Sequence, residues 1–199
     1  AVVNLNTLHL IVAKDVLFSS IPDLKGLRVA LGPPGSATAL IAELLLEAHG
    51  INVAEVSSKR LSYVDTADML ARGEMDAAFM TQVPPSQAAT TATKAGARLI
   101  DIEGPVVEDL RTRYPYLKRT LIPQVTYPNQ DKPVRTIGVD LLLVCRADVD
   151  DGVAYRLLDA YFATRPGKGP PTDFERAPAT PIPLHAGAAR YYRQRELSR

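Results

Sequence analysis

The stretch Asp23-Leu-Lys-Gly-Leu-Arg-Val-Ala-Leu-Gly-Pro-Pro-Gly-Ser-Ala-Thr38 decides the fold. Arg28 to Leu31 is a short apolar run that reads as a buried strand; Gly32-Pro-Pro-Gly35 breaks it, and a helical pattern follows from about Thr38 to Ala48. Leu40, Ile41, Leu44 and Leu45 are expected on one face of that helix and Glu43 and Glu47 on another, with Gly50 just past its end as a stop. A strand, a glycine-rich loop and a helix in that order form the unit from which α/β domains are built.

Upstream, Leu8 to Ala13 is apolar and rich in branched residues, so it is expected to be a strand, and a turn-prone linker through Asp15, Ser19, Ser20 and Pro22 joins it to the deciding stretch. Downstream, strands are expected near Lys59–Leu61, Asp76–Met80 and Ala97–Ile100, and helices over Val64–Arg72, Ser86–Lys94 and Pro105–Arg113. This alternation points to a parallel sheet. The chain then turns irregular through Tyr114-Pro-Tyr116 and Thr126-Tyr-Pro-Asn-Gln130, a candidate site loop. Thr136 to Cys145 reads as a long strand, and Asp150 or Asp151 as the cap of a helix running to about Phe162. Pro166, Gly167, Gly169, Pro170, Pro171, Pro178, Pro181 and Pro183 exclude a regular element between Arg165 and Leu184, and His185 to Leu197 has helical composition.

The 199 residues are enough for one large domain or two lobes, and 46% hydrophobic with 23% charged residues is the composition of an ordinary globular protein. Lys and Arg number 23 against 22 Asp and Glu, so a net charge of +1 gives no reason to expect nucleic acid or an anionic membrane as partner. Cys145 is the only cysteine, which excludes an internal disulfide and a thiolate metal cage. No apolar run approaches the ~20 residues of a membrane span, and the first residues lack the pattern of a secretion signal.

Gly32 to Thr38, between a strand and a helix, offers backbone N–H groups and the positive end of a helix dipole to an anion, with the hydroxyls of Ser36 and Thr38 nearby. A tight turn with a serine or threonine cap accounts for the same residues. The loop is neither a phosphate loop, since no lysine follows Gly35, nor a dinucleotide fingerprint, since no third glycine stands in register. Ser36 lacks the Gly-x-Ser-x-Gly elbow of a nucleophile, and His9, His49 and His185 form neither a metal spacing nor a triad motif, so no cofactor is expected. Asp76-Ala-Ala-Phe-Met-Thr-Gln82 leads to Pro84-Pro-Ser86 and a further helix start, so it too ends at the carboxyl edge of a sheet, where open α/β sheets bind ligands. Tyr63, Tyr114, Tyr116 and Tyr127 fall at element ends, as packing residues or as hydroxyl-bearing walls.

The deciding stretch resembles the "DLKGKRV-x-GPPGSGT" opening of the second lobe in TAXI receptors, the solute-binding proteins of TRAP transporters. The likeness continues through Leu61-Ser-Tyr, Ala67-Asp-Met-Leu, Gly73-Glu-Met-Asp-Ala-Ala-Phe79, Tyr114-Pro-Tyr116, Ile122-Pro123, Thr126-Tyr-Pro-Asn-Gln130, Pro181-Ile-Pro-Leu-His185 and Tyr191-Tyr-Arg193. It implies an α/β fold of the type II periplasmic-binding-protein kind, two lobes joined by crossover strands. Residues 1–25 would be crossover and linker, 26–124 the ligand-binding lobe, 125–148 the crossover back, and 149–199 the return to the first lobe. Gly35, Ser36, Ala37, Thr38, Met80, Thr81 and Tyr127 would be the ligand-binding positions. The implied ligand is a small organic acid or an amino acid such as glutamate or glutamine, the implied partners are membrane permease subunits, and the implied place is the periplasm or another extracytoplasmic space.

Two departures stand against the pattern. Ala37 occupies the place of the second glycine in "GSGT", and the family's usual opening half has no counterpart before Ala1. A longer polypeptide, or another copy or chain in an oligomer, is then expected to complete the first lobe. A sensor domain reporting the same ligand to a membrane protein is the alternative to a transport receptor. An enzyme on the same fold, such as a porphobilinogen-type transferase, would need a cofactor-bearing cysteine or a charged catalytic cluster.

Overall fold

The computed structural model describes residues 1–164 and 176–197. Residues 165–175, part of the proline-rich segment, lie outside them. The chain divides into two compact units: residues 6–139, and residues 1–5 with 140–199. The larger unit thus takes in more than the 26–124 expected of the binding lobe, and the division falls within two strands, β1 (Val2–Val12) and β7 (Val134–Leu142).

The larger unit is an open sheet with helices on both faces. Its strands β2 (Arg28–Ala30), β3 (Ser57–Lys59), β4 (Ala77–Gln82), β5 (Arg98–Ile100) and β6 (Lys118–Ile122) join β1 and β7 in the order β3-β2-β4-β1-β7-β6, with β5 also on β1. The sheet is mixed rather than parallel throughout. β2 runs parallel to β3 and β4, while β1 lies antiparallel to β4 and β5, and β6 antiparallel to β7. β6 falls where the sequence suggested irregular chain.

The alternation of strand side chains sorts the core into two layers. Leu8, Leu10 and Val12 of β1 and Ala77 and Phe79 of β4 face one layer, where they meet Ile41, Leu45 and Leu46 of α1 (Ala37–Ala48) and Val107 and Leu110 of α4 (Pro105–Arg113). Ile11 of β1 and Ala78 and Met80 of β4 face the other, against Ala67 and Leu70 of α2 (Tyr63–Ala71) and Ala88, Ala89 and Ala92 of α3 (Gln87–Lys94). Leu40, expected on the inner stripe of α1, is 53% exposed instead; the stripe runs through Ile41, Ala42, Leu45 and Leu46. Asp76, just before β4, grips Arg28 at the start of β2 through Nη2 (2.6 Å), Nε (3.0 Å) and the backbone N–H (2.8 Å), a two-pronged clasp that sets the register of the parallel pair.

In the smaller unit, α5 (Asp151–Ala163) is capped by the Asp150 carboxylate, which accepts from Val153 N–H at 3.0 Å. α6 (Ala186–Glu196) lies against it, and Leu158, Ala177, Ala188, Tyr191 and Tyr192 form their shared core, with Tyr155 and Phe162 against the Tyr191 ring. The two helices touch at Gly187, where an added Cβ would stand 2.1 Å from the carbonyl oxygen of Asp151. Among the described residues no helix is long and apolar enough to cross a membrane.

Gly187→Ala is therefore expected to force α5 and α6 apart and to destabilise the chain by about 1–3 kcal/mol, the usual range for an overpacked contact; the midpoint of urea denaturation measures it.

Candidate functional site

β2 and β4 are parallel neighbours, yet α1 follows β2 onto one face of the sheet and α3 follows β4 onto the other. Their outgoing loops, residues 31–36 and 83–86, must diverge, and a crevice at the carboxyl ends of the two strands results. The amino ends of α1 and α3 border it. Each begins the same way: Ser36 Oγ accepts from Ala39 N–H at 3.2 Å, and Ser86 Oγ accepts from Ala89 N–H at 3.2 Å. The N–H groups of the first turn that a cap leaves over have no acceptor inside the helix and point out of its end.

The loop before α1 is tight. Gly32 sits at φ +88°, and a Cβ there would lie 2.8 Å from both Cβ and Cγ2 of Thr38, so only glycine lets Thr38 fold in under the turn. Gly35, at φ +68°, has open space where a Cβ would be, and the left-handed backbone alone accounts for it. Ser36 is half-buried, Ala37 exposed and Thr38 buried. Thr38 Oγ1 and Tyr63 Oη are 2.6 Å apart, and Tyr63 Oη reaches the Thr81 carbonyl at a long 3.4 Å. Tyr63, at the start of α2, thereby ties the α1 end to the end of β4.

The expected binding positions separate into two sets. Thr38 and Thr81 are brought together through Tyr63, and Gly35, Ser36 and Ala37 lie just before Thr38 in the turn that opens α1. Met80 and Tyr127 stand apart from them: Met80 is fully enclosed in the layer beneath α2 and α3, and Tyr127 is only 3% exposed. The Tyr127 hydroxyl is held by two groups, accepting from Ser86 N–H at 2.9 Å and standing 2.8 Å from Nε2 of His9. Nδ1 of His9 lies 2.9 Å from the Thr7 carbonyl, which only accepts, so Nδ1 carries the proton, Nε2 accepts, and Tyr127 donates to it. Burial drives the His9 pKa down to about 4, opposed by its hydrogen bonds to the backbone of Thr7 and Met80, and burial raises that of Tyr127.

The stretch Thr126–Gln130, expected as a site loop, is ordered from within the turn that holds it. The Gln130 side chain donates to the carbonyls of Pro123 (2.9 Å) and Lys132 (3.0 Å) and accepts from Tyr127 N–H (3.2 Å), while Asn129 donates to the Thr93 carbonyl at the far end of α3 (3.0 Å). Its part is to seat Tyr127 behind the α3 start. Sequence reasoning placed Tyr63 only among tyrosines at element ends and found no motif around His9. Their partners lie 25 and 118 residues away, and only the folded sheet brings them together.

A second concavity, of about 500 Å3, lies in the smaller unit; Leu143, Val144, Leu157, Leu158, Ile182 and Leu184 give it largely hydrocarbon walls. Its polar margin holds His185 and Asp151, with Nδ1 and Oδ1 3.6 Å apart. Among the described residues no group of three His, Cys, Asp or Glu side chains is placed to hold a metal ion.

Residues 1–195 match the NMT1-like family. Among solved structures, the chain is similar to the periplasmic aliphatic sulphonate binding protein SsuA of Escherichia coli, at 21% identity over 47% of this chain and 29% of that one, with a TM-score of 0.41. A putative periplasmic sulfonate-binding protein of Methylobacillus flagellatus KT matches at 18% identity over 95% and 49%, with a TM-score of 0.47. The arginine-bound form of truncated ArgBP from T. maritima matches at 19% over 50% and 43%, with a TM-score of 0.38. The chain spans less than half the length of each of these three proteins.

The buried, neutral His9 makes a pH prediction. Its folded pKa of about 4 lies below the ordinary value of 6.5, so between these values the unfolded chain binds the proton and the folded chain does not. Stability is expected to be full above pH 6.5 and to fall as the pH drops toward 4, by about 3 kcal/mol in all at 1.36 kcal/mol per pKa unit. Urea midpoints at pH 7 and pH 4.5 measure the slope, and in His9→Gln the slope over that interval flattens.

Proposed function

This chain belongs to the NMT1-like family, and from that premise we propose that it is a solute receptor, binding a small anionic ligand reversibly at the crevice between β2 and β4. The observation that carries the reading is the meeting of two serine-capped helix starts, α1 and α3, at the diverging ends of two adjacent parallel strands. Two helix dipoles present positive ends there, and their outermost N–H groups suit a carboxylate. The side chains that line the crevice, Ser36, Thr38, Tyr63, Thr81 and Gln82, are hydroxyls and an amide, groups that hold and orient a ligand by hydrogen bonds.

The finer reading follows the TAXI resemblance of the Asp23–Thr38 stretch. The ligand is a small organic acid or an amino acid of the glutamate or glutamine kind, captured in the periplasm or another extracytoplasmic space for the permease subunits of a TRAP transporter. Gly35, Ser36, Ala37 and Thr38 contact its carboxylate, and Thr81 lies beside them. Met80 and Tyr127 support the site from behind.

Ser36→Asp tests the anion reading cleanly. Aspartate caps a helix as well as serine does, so the unliganded chain keeps its melting temperature, while a fixed carboxylate at the mouth repels the ligand. A panel of amino acids and dicarboxylates is expected to contain a compound that raises the melting point of the wild type by mass action, about 2.7 kcal/mol of stabilisation at a hundred times Kd. That shift is expected to vanish in Ser36→Asp. An undiminished shift in the variant would count against an anion at this helix end.

A further inference from the structure

An apolar run of the smaller unit lies open to solvent. In Leu141-Leu-Leu-Val-Cys145, Leu141 and Leu143 are each 41% exposed and Val144 is 61% exposed. Leu157 of α5 and Ile182, each about half exposed, extend this surface along the concavity that Leu143 and Val144 wall. The outer strands of the larger sheet are guarded as edges usually are: β3 is three residues long and ends in Lys59, and β6 opens with Lys118 and Arg119. The run 141–145 has no charge, proline or glycine within it.

The hydrogen bonds show which side of the run is open. Leu143 exchanges both backbone groups with Ala1: its N–H donates to the Ala1 carbonyl at 2.8 Å, and its carbonyl accepts from the Ala1 nitrogen at 3.0 Å. Neighbouring residues of an extended strand point their N–H and C=O the other way, so those of Leu142 and Val144 face away from β1. That is the side on which β6 pairs with β7, but only as far as Gly138. Among the described residues no strand continues that side past Gly138.

We propose that this edge is a self-pairing surface: two copies of the chain join through residues 140–146 as antiparallel strands about a two-fold axis at Leu143. Only the even-numbered residues offer backbone groups to a new strand there, so a self-paired register must set even against even. The register centred on Leu143 sets Leu142 against Val144, Leu141 against Cys145, and Asp140 against Arg146. Apolar residues then meet apolar ones, and the acid and the base that bound the run face their opposites, as cross-strand pairs favour. A shift by two residues either way sets Asp140 against Val144 or Leu142 against Arg146. The opposition acts on register and needs no new ion pair, since Arg146 keeps Asp148 at 2.6 Å and Asp140 keeps Arg176 at 3.9 Å. A two-fold axis lets one patch serve both copies and closes the assembly at two. The pairing does not depend on what the crevice binds.

Sedimentation velocity of the 199-residue chain tests it. The chain is expected to sediment at twice its mass, half dissociated at about 10 μM or below, and Leu143→Lys, which sets two cations face to face at the axis, is expected to weaken the dimer at least about tenfold. Far-ultraviolet circular dichroism checks that the variant is folded. Cross-linking reads the register. In a Cys145→Ser background, Leu143→Cys faces its own copy across a non-hydrogen-bonded pair, with Cα atoms about 4.5 Å apart and within disulfide reach, so mild oxidation is expected to link it. Val144→Cys in the same background faces Leu142 of the other copy and is expected to stay unlinked. A chain that remains monomeric at about 100 μM overturns the proposal and leaves the run to a different occupant. A dimer that Leu143→Lys leaves intact overturns it as well, and so does one that Val144→Cys links and Leu143→Cys does not.

Discussion

Two parallel strands that lie side by side but send their helices to opposite faces of the sheet impose the geometry on which the rest depends. β2 and β4 are hydrogen-bonded neighbours, and α1 and α3 pack on different layers. The loops between strand and helix cannot stay together, and what separates them is a gap floored by strand ends and flanked by helix starts. The gap needs no special residue to exist. What the sequence adds is a way to bring the flanks close: Gly32 removes the Cβ that would meet Thr38 at 2.8 Å, and Thr38 then reaches Tyr63 across the top of the sheet.

The floor of the gap is stiffened from behind by polar groups that would be expensive if any one were missing. His9, Tyr127 and Ser86 come from three separate elements and are joined by contacts of 2.8 and 2.9 Å, in a place with little access to water. Each hydrogen bond there contributes modestly on net, but removing a partner leaves a buried group unsatisfied, at about 1–3 kcal/mol. The network therefore acts as a set of positional constraints on the α3 start more than as a source of stability. The Arg28–Asp76 clasp does related work at the opposite end of the β2–β4 pair. The Arg28 side chain there is half exposed, so its worth is registration, with little net energy.

Much of this was legible in the sequence where local signals and tertiary context agree. The deciding stretch gives β2, its loop and α1 nearly to the residue. α4 runs over Pro105–Arg113 as its leading proline suggests, and Asp150 caps α5. The misses have physical causes. β6 opens with Lys118, Arg119 and Thr120, and only its last residue, Ile122, is buried, so its apolar signature is too short to read, and its strand character comes from pairing with β7. Strand direction is not written in local composition, so β1 and its antiparallel partners could not be told from a parallel set. Met80 and Tyr127 sit near a strand end and a loop in sequence, but strand parity turns Met80 inward, and the Gln130-centred loop folds Tyr127 under α3.

In the receptor reading proposed above, a site made of helix ends and hydroxyls carries an energetic consequence for a protein that must release what it binds. A cationic side chain buried in a crevice is left unpaired whenever its partner leaves, and it shifts its pKa or recruits another anion in response. Backbone N–H groups at a helix start carry only partial charge, and the helix itself fixes their direction, so the unliganded protein holds no isolated ion. Affinity then grows from several moderate hydrogen bonds and not from one strong ion pair, and discrimination passes to neutral groups that a wrong ligand leaves unpaired.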